Sequence, residues 1–216
     1  MSQHKEHIIA VFADKFNKVA LETPQKGNIY PSTMFDGPIS HRDIIIANRG
    51  VLEEDQRFRQ VIPYIAFRTN EGKFLTYVRT KSSGEKGLHS KTSVGFGGHM
   101  DAEDAIYDDD NEFDVLESIK QGVTRETIEE LGSDVYEMLK DDIENLTISQ
   151  LVIDDKTDVE KVHMAILIIV EINEEFEVVS EDPSIDMKGF LTKEEIQSLH
   201  NSGAPVEPWS EIVINN

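Results

Sequence analysis

Residues 125–132 read Arg-Glu-Thr-Ile-Glu-Glu-Leu-Gly, and a further glutamate, Glu117, stands eight positions before the arginine. On a helix, Glu126, Glu129 and Glu130 occupy i, i+3 and i+4. At roughly 100° per residue they share one stripe and about one turn of height. Like charges so placed cost an isolated helix on the order of a few tenths of a kcal/mol per pair. A hard divalent cation, Mg²⁺ or Mn²⁺, supplies a reason for that cost, because it takes carboxylate oxygens and bridges them to a phosphate. The same letters also suit an ordinary surface helix in which Arg125 pairs with Glu129 at i, i+4 and the rest is solvated.

Composition narrows the setting. The 216 residues are enough for one domain with a full core, with or without an extension. Hydrophobic residues at 38% and charged residues at 29% place the chain among soluble globular proteins. A net charge of −21 repels nucleic-acid backbones, so a nucleic-acid polymer is not an expected partner. A small anionic substrate stays compatible if a metal or a local basic patch receives it. The absence of cysteine removes disulfides and thiolate zinc sites, and the histidines show no HxxxH spacing. No signal-peptide pattern opens the chain, and the longest apolar run, Met164–Val170, is too short to span a bilayer. A cytoplasmic location without a membrane partner is expected.

The elements that must position the stripe follow from periodicity. Ile8, Phe12, Phe16 and Val19 predict an amphipathic helix over 7–20. Pro24, Gly27, Pro31, Gly37 and Pro38 predict an irregular connection over 21–42. Residues 1–58 thus read as an N-terminal helix-and-loop extension, and 59–216 as the main domain. The extension could cover a pocket or build a homodimer. Val61–Thr69, a turn at 70–72 and Lys73–Thr80 predict a hairpin. A polar loop, Lys81–Lys91, leads to a short strand interrupted by Gly95, Gly97 and Gly98. Residues 101–114 hold eight Asp or Glu in fourteen positions, without EF-hand spacing, and read as a solvated, mobile loop. Ser118–Gln121 reads as a capping box opening the helix that carries the stripe, with Ile119, Val123, Ile128 and Leu131 inward and Gly132 as its stop. A short helix at Val135–Leu139, strands at Thr147–Ile153, Lys161–Ile172 and Met187–Leu191, and a helix capped by Thr192–Glu195 complete the reading. Tyr64 and Phe67 are expected in the core, and His163 as a strand residue with a hydrogen-bonding role.

The spacing Glu117, seven residues, Arg125-Glu126, two residues, Glu129-Glu130, one residue, Gly132 resembles the Nudix box, G-x5-E-x7-R-E-U-x-E-E-x-G-U, where U is a bulky aliphatic. The resemblance covers about residues 60–200. It departs in two ways. The leading glycine is displaced to Gly98, which makes the acidic stretch a 13-residue insertion within the box, and Thr127 and Ser133 stand where aliphatics are usual.

The resemblance implies a Nudix-like α/β/α sandwich with a mixed central sheet, preceded here by the N-terminal helical extension. It also implies Mg²⁺- or Mn²⁺-dependent hydrolysis of a nucleoside diphosphate linked to another group. Carried over by position, Glu126 and Glu130 are metal ligands, and Glu129 is a third ligand or orients the attacking water. Glu117 and the carbonyl of Gly98 are further metal candidates. Arg125 steadies the glutamates, and a later loop glutamate, Glu181 by preference, is the general base. The basic stretch holding Arg79, Lys81, His89 and Lys91 is the expected seat of the substrate's non-reacting phosphates. One alternative is a non-hydrolytic domain that senses a nucleotide or ADP-ribose. An isoprenyl diphosphate isomerase fits less well, since that chemistry commonly needs a cysteine.

Overall fold

The computed structural model describes residues 6–15, 29–31, 41–80, 89–148, 150–153, 158–180 and 183–215. The chain divides into two compact units. The first takes Met1–Tyr64, Gly98–Val123 and Thr147–Ile168, and the second Ile65–Gly97, Thr124–Leu146 and Ile169–Asn216. Helices and antiparallel strands occur in both, so the class is α+β, as expected.

In the first unit, β1 (His7–Phe12) lies between β3 (Ile44–Asn48) and the start of β4 (Phe58–Thr69), with Ile9 opposite Ile46 and Ala10 opposite Gln60. This corrects the helix expected over 7–20. The chain is strand through Phe12 and helical only from 13 to 15; residues 16–20 lie outside the described set. The reason is local. Ile8, Ile9, Ala10 and Val11 are all buried, and a run of four apolar residues with β-branching fits a strand covered on both faces better than one helix stripe. One face of β1 gives Ile8 and Ala10 to a cluster with Leu52, Ile45, Ala47 and Phe58, closed by the short helix α1 (Arg49–Leu52). The Ile9 amide donates to the Met100 carbonyl at 2.8 Å. The expected helical extension is therefore, over its described N-terminal part, a strand of the first unit. The irregular connection also contains a strand, β2 (Ile29–Pro31), which pairs with β8 (Gln150–Val152), and β8 pairs with β9 (His163–Ile172).

The acidic stretch folds into local turns. Asp101 and Asp104 form a reciprocal cap on a short 3₁₀ turn over Ala102–Asp104, and Asp104 is buried. Tyr107 bridges Phe113 with an edge-on ring contact at 5.8 Å, and the Asp108 carboxylate takes the amides of Asp110 and Glu112. The stretch is solvent-exposed over 106–112, as expected, and is built of hydrogen-bonded turns. It also moves the start of the stripe-bearing helix. That helix, α2, spans Val115–Leu131 and is capped by Asp114, whose Oδ1 accepts the Glu117 amide at 3.0 Å. Ser118 lies inside the first turns, and its hydroxyl faces the backbone of Ile106.

In the second unit, β5 (Phe74–Arg79) pairs with β10 (Ile185–Leu191) and with β6 (Thr92–Ser93), while β7 (Gly95–Phe96) pairs with the end of β4. The β4–β5 turn is the predicted one, with Gly72 at φ +79°. Tyr77, Phe96 and Phe67 stack in the core. Gly132 ends α2 at φ +92°, a conformation that favours glycine, and α3 (Ser133–Glu144) follows. Ile128, expected inward, is exposed, whereas Thr127 is fully buried in a position where the box has an aliphatic. Helix α4 (Lys193–Asn201) carries the predicted capping box: the Glu195 amide donates to Thr192 Oγ1 at 3.2 Å and the Thr192 amide to Glu195 Oε2 at 2.8 Å. The tail forms α5 (Pro208–Ile214). Among the described residues no helix is long and apolar enough to cross a membrane.

Gln60 is fully buried on β4, and among the described residues neither its amide nitrogen nor its oxygen has a hydrogen-bond partner. An orphaned buried amide costs about 1–3 kcal/mol. Gln60→Met, of similar length and apolar, is expected to raise the thermal midpoint by about 2–4 °C per kcal/mol recovered, read by calorimetry or by urea unfolding.

Candidate functional site

The carboxylate stripe lies on the part of α2 that belongs to the second unit. One guanidinium nitrogen of Arg125 serves two of its members, donating to Glu126 Oε1 at 2.7 Å and to Glu129 Oε2 at 3.3 Å. Glu126 is buried at 7% exposure, so its charge needs such a partner. Glu129 is open to solvent, with 59% of its side chain exposed. Glu130 is half-buried, and its Oε2 accepts the Gly97 amide at 2.9 Å. The Ser180 hydroxyl donates to the Glu130 backbone carbonyl at 2.8 Å.

The glycine strand that reaches Glu130 rests on Tyr77. This tyrosine is fully buried, and its hydroxyl donates to the Gly95 carbonyl at 2.9 Å. Burial pushes its pKa far above the ordinary phenol value. The positive charge of Arg79 opposes that shift, and the negative charges of Glu130 and Glu207 add to it. Tyr77 therefore remains a neutral donor at any working pH. Its hydroxyl also senses three charges, those of Arg79, Glu130 and Glu207. The Arg79 guanidinium sits 5.4 Å from the Tyr77 ring centroid.

The remaining sequence-derived candidates are placed as follows. The Arg79 amide donates to the Lys91 carbonyl and the Ser90 amide to the Arg79 carbonyl, so Arg79 and Lys91 form the paired base of the basic loop, with His89 half-buried at its end. Lys81 and Glu181 lie outside the described residues; Ser180, which holds the Glu130 carbonyl, directly precedes Glu181. Glu117 and Gly98 belong to the first unit. Glu117 is in the first turn of α2, where Lys120 donates to it at 2.7 Å. Gly98 is half-buried, and the amide that meets the stripe is that of its neighbour Gly97. His163 opens β9 as expected and makes the anticipated hydrogen bonds, its Nδ1 to the Val159 carbonyl at 2.6 Å and its Nε2 to His99 Nε2 at 3.1 Å.

Sequence reasoning missed Tyr77, Ser93, Glu207 and Ser210. Glu207 is buried, and its Oε1 accepts from Ser93 at 2.7 Å and from Ser210 at 3.2 Å. The nearest signal was a glutamate between two prolines, Pro205 and Pro208, in a tail whose pattern resolves no element.

Among the described residues no three His, Asp, Glu or Cys side chains converge as a metal cage. The stripe offers two carboxylates one helical turn apart, Glu126 and Glu130, both of hard oxygen chemistry. Mg²⁺ is commonly held by one or two carboxylates, with waters and substrate phosphates supplying the rest. The donor set fits that mode.

No family model matches the chain. Of the solved structures, Tm1382, a proposed Nudix hydrolase, superposes with a TM-score of 0.65 at 17% identity, covering 97% of this chain and 99% of its own. DR0079 from Deinococcus radiodurans gives a TM-score of 0.45 at 17% identity, over 82% of this chain and 94% of its own. The Tm1382 match establishes a Nudix-like fold. In sequence, the chain is 34% identical to protein YmaB of Bacillus subtilis over 169 residues, 77% of this chain and 75% of that protein. The chain thus belongs to the family of protein YmaB, on a Nudix-like fold.

Proposed function

We propose that the protein is a Mg²⁺- or Mn²⁺-dependent hydrolase that cleaves the pyrophosphate bond of a nucleoside diphosphate linked to another group. The observation that carries this reading is the pair Glu126 and Glu130, one buried against Arg125 and one fixed by the Gly97 amide. Both are held one turn apart on a helix whose neighbouring letters keep Nudix spacing. The Nudix-like fold supports it.

Each residue has a role that its surroundings support. Glu126 and Glu130 would hold the cation. When bound, it neutralises phosphate charge and activates the attacking water, which suits a reaction governed by positioning and charge. Arg125 pairs with Glu126 and aims it, and restrains Glu129. Glu129, the exposed member, is free of burial constraints and suited to orienting water. Arg79 is the anchor for non-reacting phosphates: a guanidinium braced on an aromatic ring offers a planar, bidentate donor. Glu181 remains the proposed general base, because it follows the residue tied to the Glu130 carbonyl. Glu117 is a weaker ligand candidate, since Lys120 already engages it.

A panel of nucleoside diphosphate derivatives, assayed for phosphate or nucleotide release with and without Mg²⁺ or Mn²⁺, tests the reading. Glu130→Gln is expected to lower kcat/KM by about 100-fold or more, comparable to losing one preorganised electrostatic contact. Release that is independent of metal would remove the metal dependence, and no release from any substrate would remove the hydrolase claim. Arg79→Glu is expected to raise KM severalfold with kcat little changed, because it removes binding that ground state and transition state share. An unaltered KM would remove Arg79 from the phosphate seat.

A further inference from the structure

The tail segment 204–210 grips the strand that leads to the stripe. The Thr92 amide donates to the Pro205 carbonyl at 2.8 Å, and the Glu207 amide to the Thr92 carbonyl at 3.0 Å. The Val94 amide donates to Ser210 Oγ at 2.9 Å. Inside this seam, the hydroxyls of Ser93 and Ser210 converge on one carboxylate oxygen of Glu207. Ser93 and Ser210 are 0% exposed and Glu207 is 5% exposed.

A carboxylate buried to this degree costs stability unless it is fully hydrogen-bonded, and an apolar replacement of similar volume is often the more stable choice. The attested use of such a group is to hold one arrangement among several. Here the arrangement is the strand 92–97. Past Ser93 it gives the Gly95 carbonyl to Tyr77 and the Gly97 amide to Glu130, with Gly97 at φ +138°, where glycine alone is at ease. A slip of this strand would withdraw the Gly97 amide from Glu130.

We propose that Glu207 is a positioning residue of the metal site: through Ser93 and Ser210 it fixes strand 92–97 so that the Gly97 amide aims the Glu130 carboxylate. This rests on Glu130 being a metal ligand, as proposed above. Glu207 touches neither metal nor substrate. It acts two steps away, as outer hydrogen-bonding partners do when they orient a ligand.

The full-length protein is titrated with Mn²⁺ alone, followed by electron paramagnetic resonance, while the Gly97 amide resonance is read by ¹⁵N NMR. Glu130→Gln is the control and is expected to abolish tight Mn²⁺ binding. Glu207→Ala is expected to weaken Mn²⁺ about tenfold, the lower end of outer-partner effects, and to shift the Gly97 resonance. Glu207→Gln keeps an acceptor oxygen for both serines and is expected to recover most of that loss. If Glu207→Ala does not fold, Ser93→Ala, which removes one donor to the carboxylate, decides the matter with the same two readouts. Wild-type Mn²⁺ affinity with an unmoved Gly97 signal, beside a Glu130→Gln control that has lost the metal, overturns the positioning role and leaves the metal reading standing. A Glu130→Gln protein that binds Mn²⁺ like wild type overturns both.

Discussion

Three like charges within one turn of α2 are the constraint around which the second unit is organised. Glu126, Glu129 and Glu130 repel one another, and a helix does not hold them in a defined pose unaided. The structure separates them by giving each a different environment. Glu126 is buried against Arg125, Glu129 shares that guanidinium more loosely and reaches into water, and Glu130 turns to the Gly97 amide. One Arg125 nitrogen contacts two carboxylates, and the third is met by a backbone donor that carries no side chain of its own.

A backbone donor is useful only if the backbone is fixed. At Gly97 the chain adopts φ +138°, and side chains would strain there. Glycine admits the conformation but does not enforce it, because it is the least restricted residue. Enforcement comes from both sides of the strand: the Tyr77 hydroxyl on the Gly95 carbonyl, and the seam formed by Thr92, Ser93 and Val94 with Glu207 and Ser210. Tyr77 suits this task because burial keeps it protonated and hence a donor.

What could be read from the chain alone follows the range of the forces involved. The stripe, its arginine, the Gly132 stop, the β4–β5 hairpin and the Thr192 capping box depend on residues within a few positions of one another, and each stands where periodicity places it. The Glu207–Ser93 contact joins residues far apart in sequence, and the Arg79–Tyr77–Glu130 grouping needs strand pairing that no local pattern encodes. Residues 7–12 failed for a different reason. Ile8, Phe12, Phe16 and Val19 match a helical spacing, but the intervening Ile9, Ala10 and Val11 are equally apolar. A helix would have turned Ala10 to the opposite side and left Ile9 and Val11 at the edges of the stripe, whereas a strand covered on both faces buries all three. Counting the residues that match a period, without those that violate it, led to the wrong element.

The acidic stretch shows the same limit from the side of composition. Eight acids in fourteen residues suggest repulsion and solvation, yet aspartate also has a short side chain that hydrogen-bonds nearby backbone amides. Asp104 and Asp101 cap a turn, Asp108 folds the chain back between Tyr107 and Phe113, and Asp114 caps α2. Their order, which composition ignores, decides the structure. The consequence reaches Glu117. With α2 starting at Val115 instead of near Ser118, Glu117 falls in the first helical turn, where a negative charge meets the positive end of the helix dipole and Lys120 lies one turn on. Helix-end electrostatics thus account for a glutamate at this place without a cation. The same does not hold for Glu126 and Glu130, which lie in the C-terminal half of α2, where the dipole disfavours negative charge and only neighbouring groups or a bound cation can offset it.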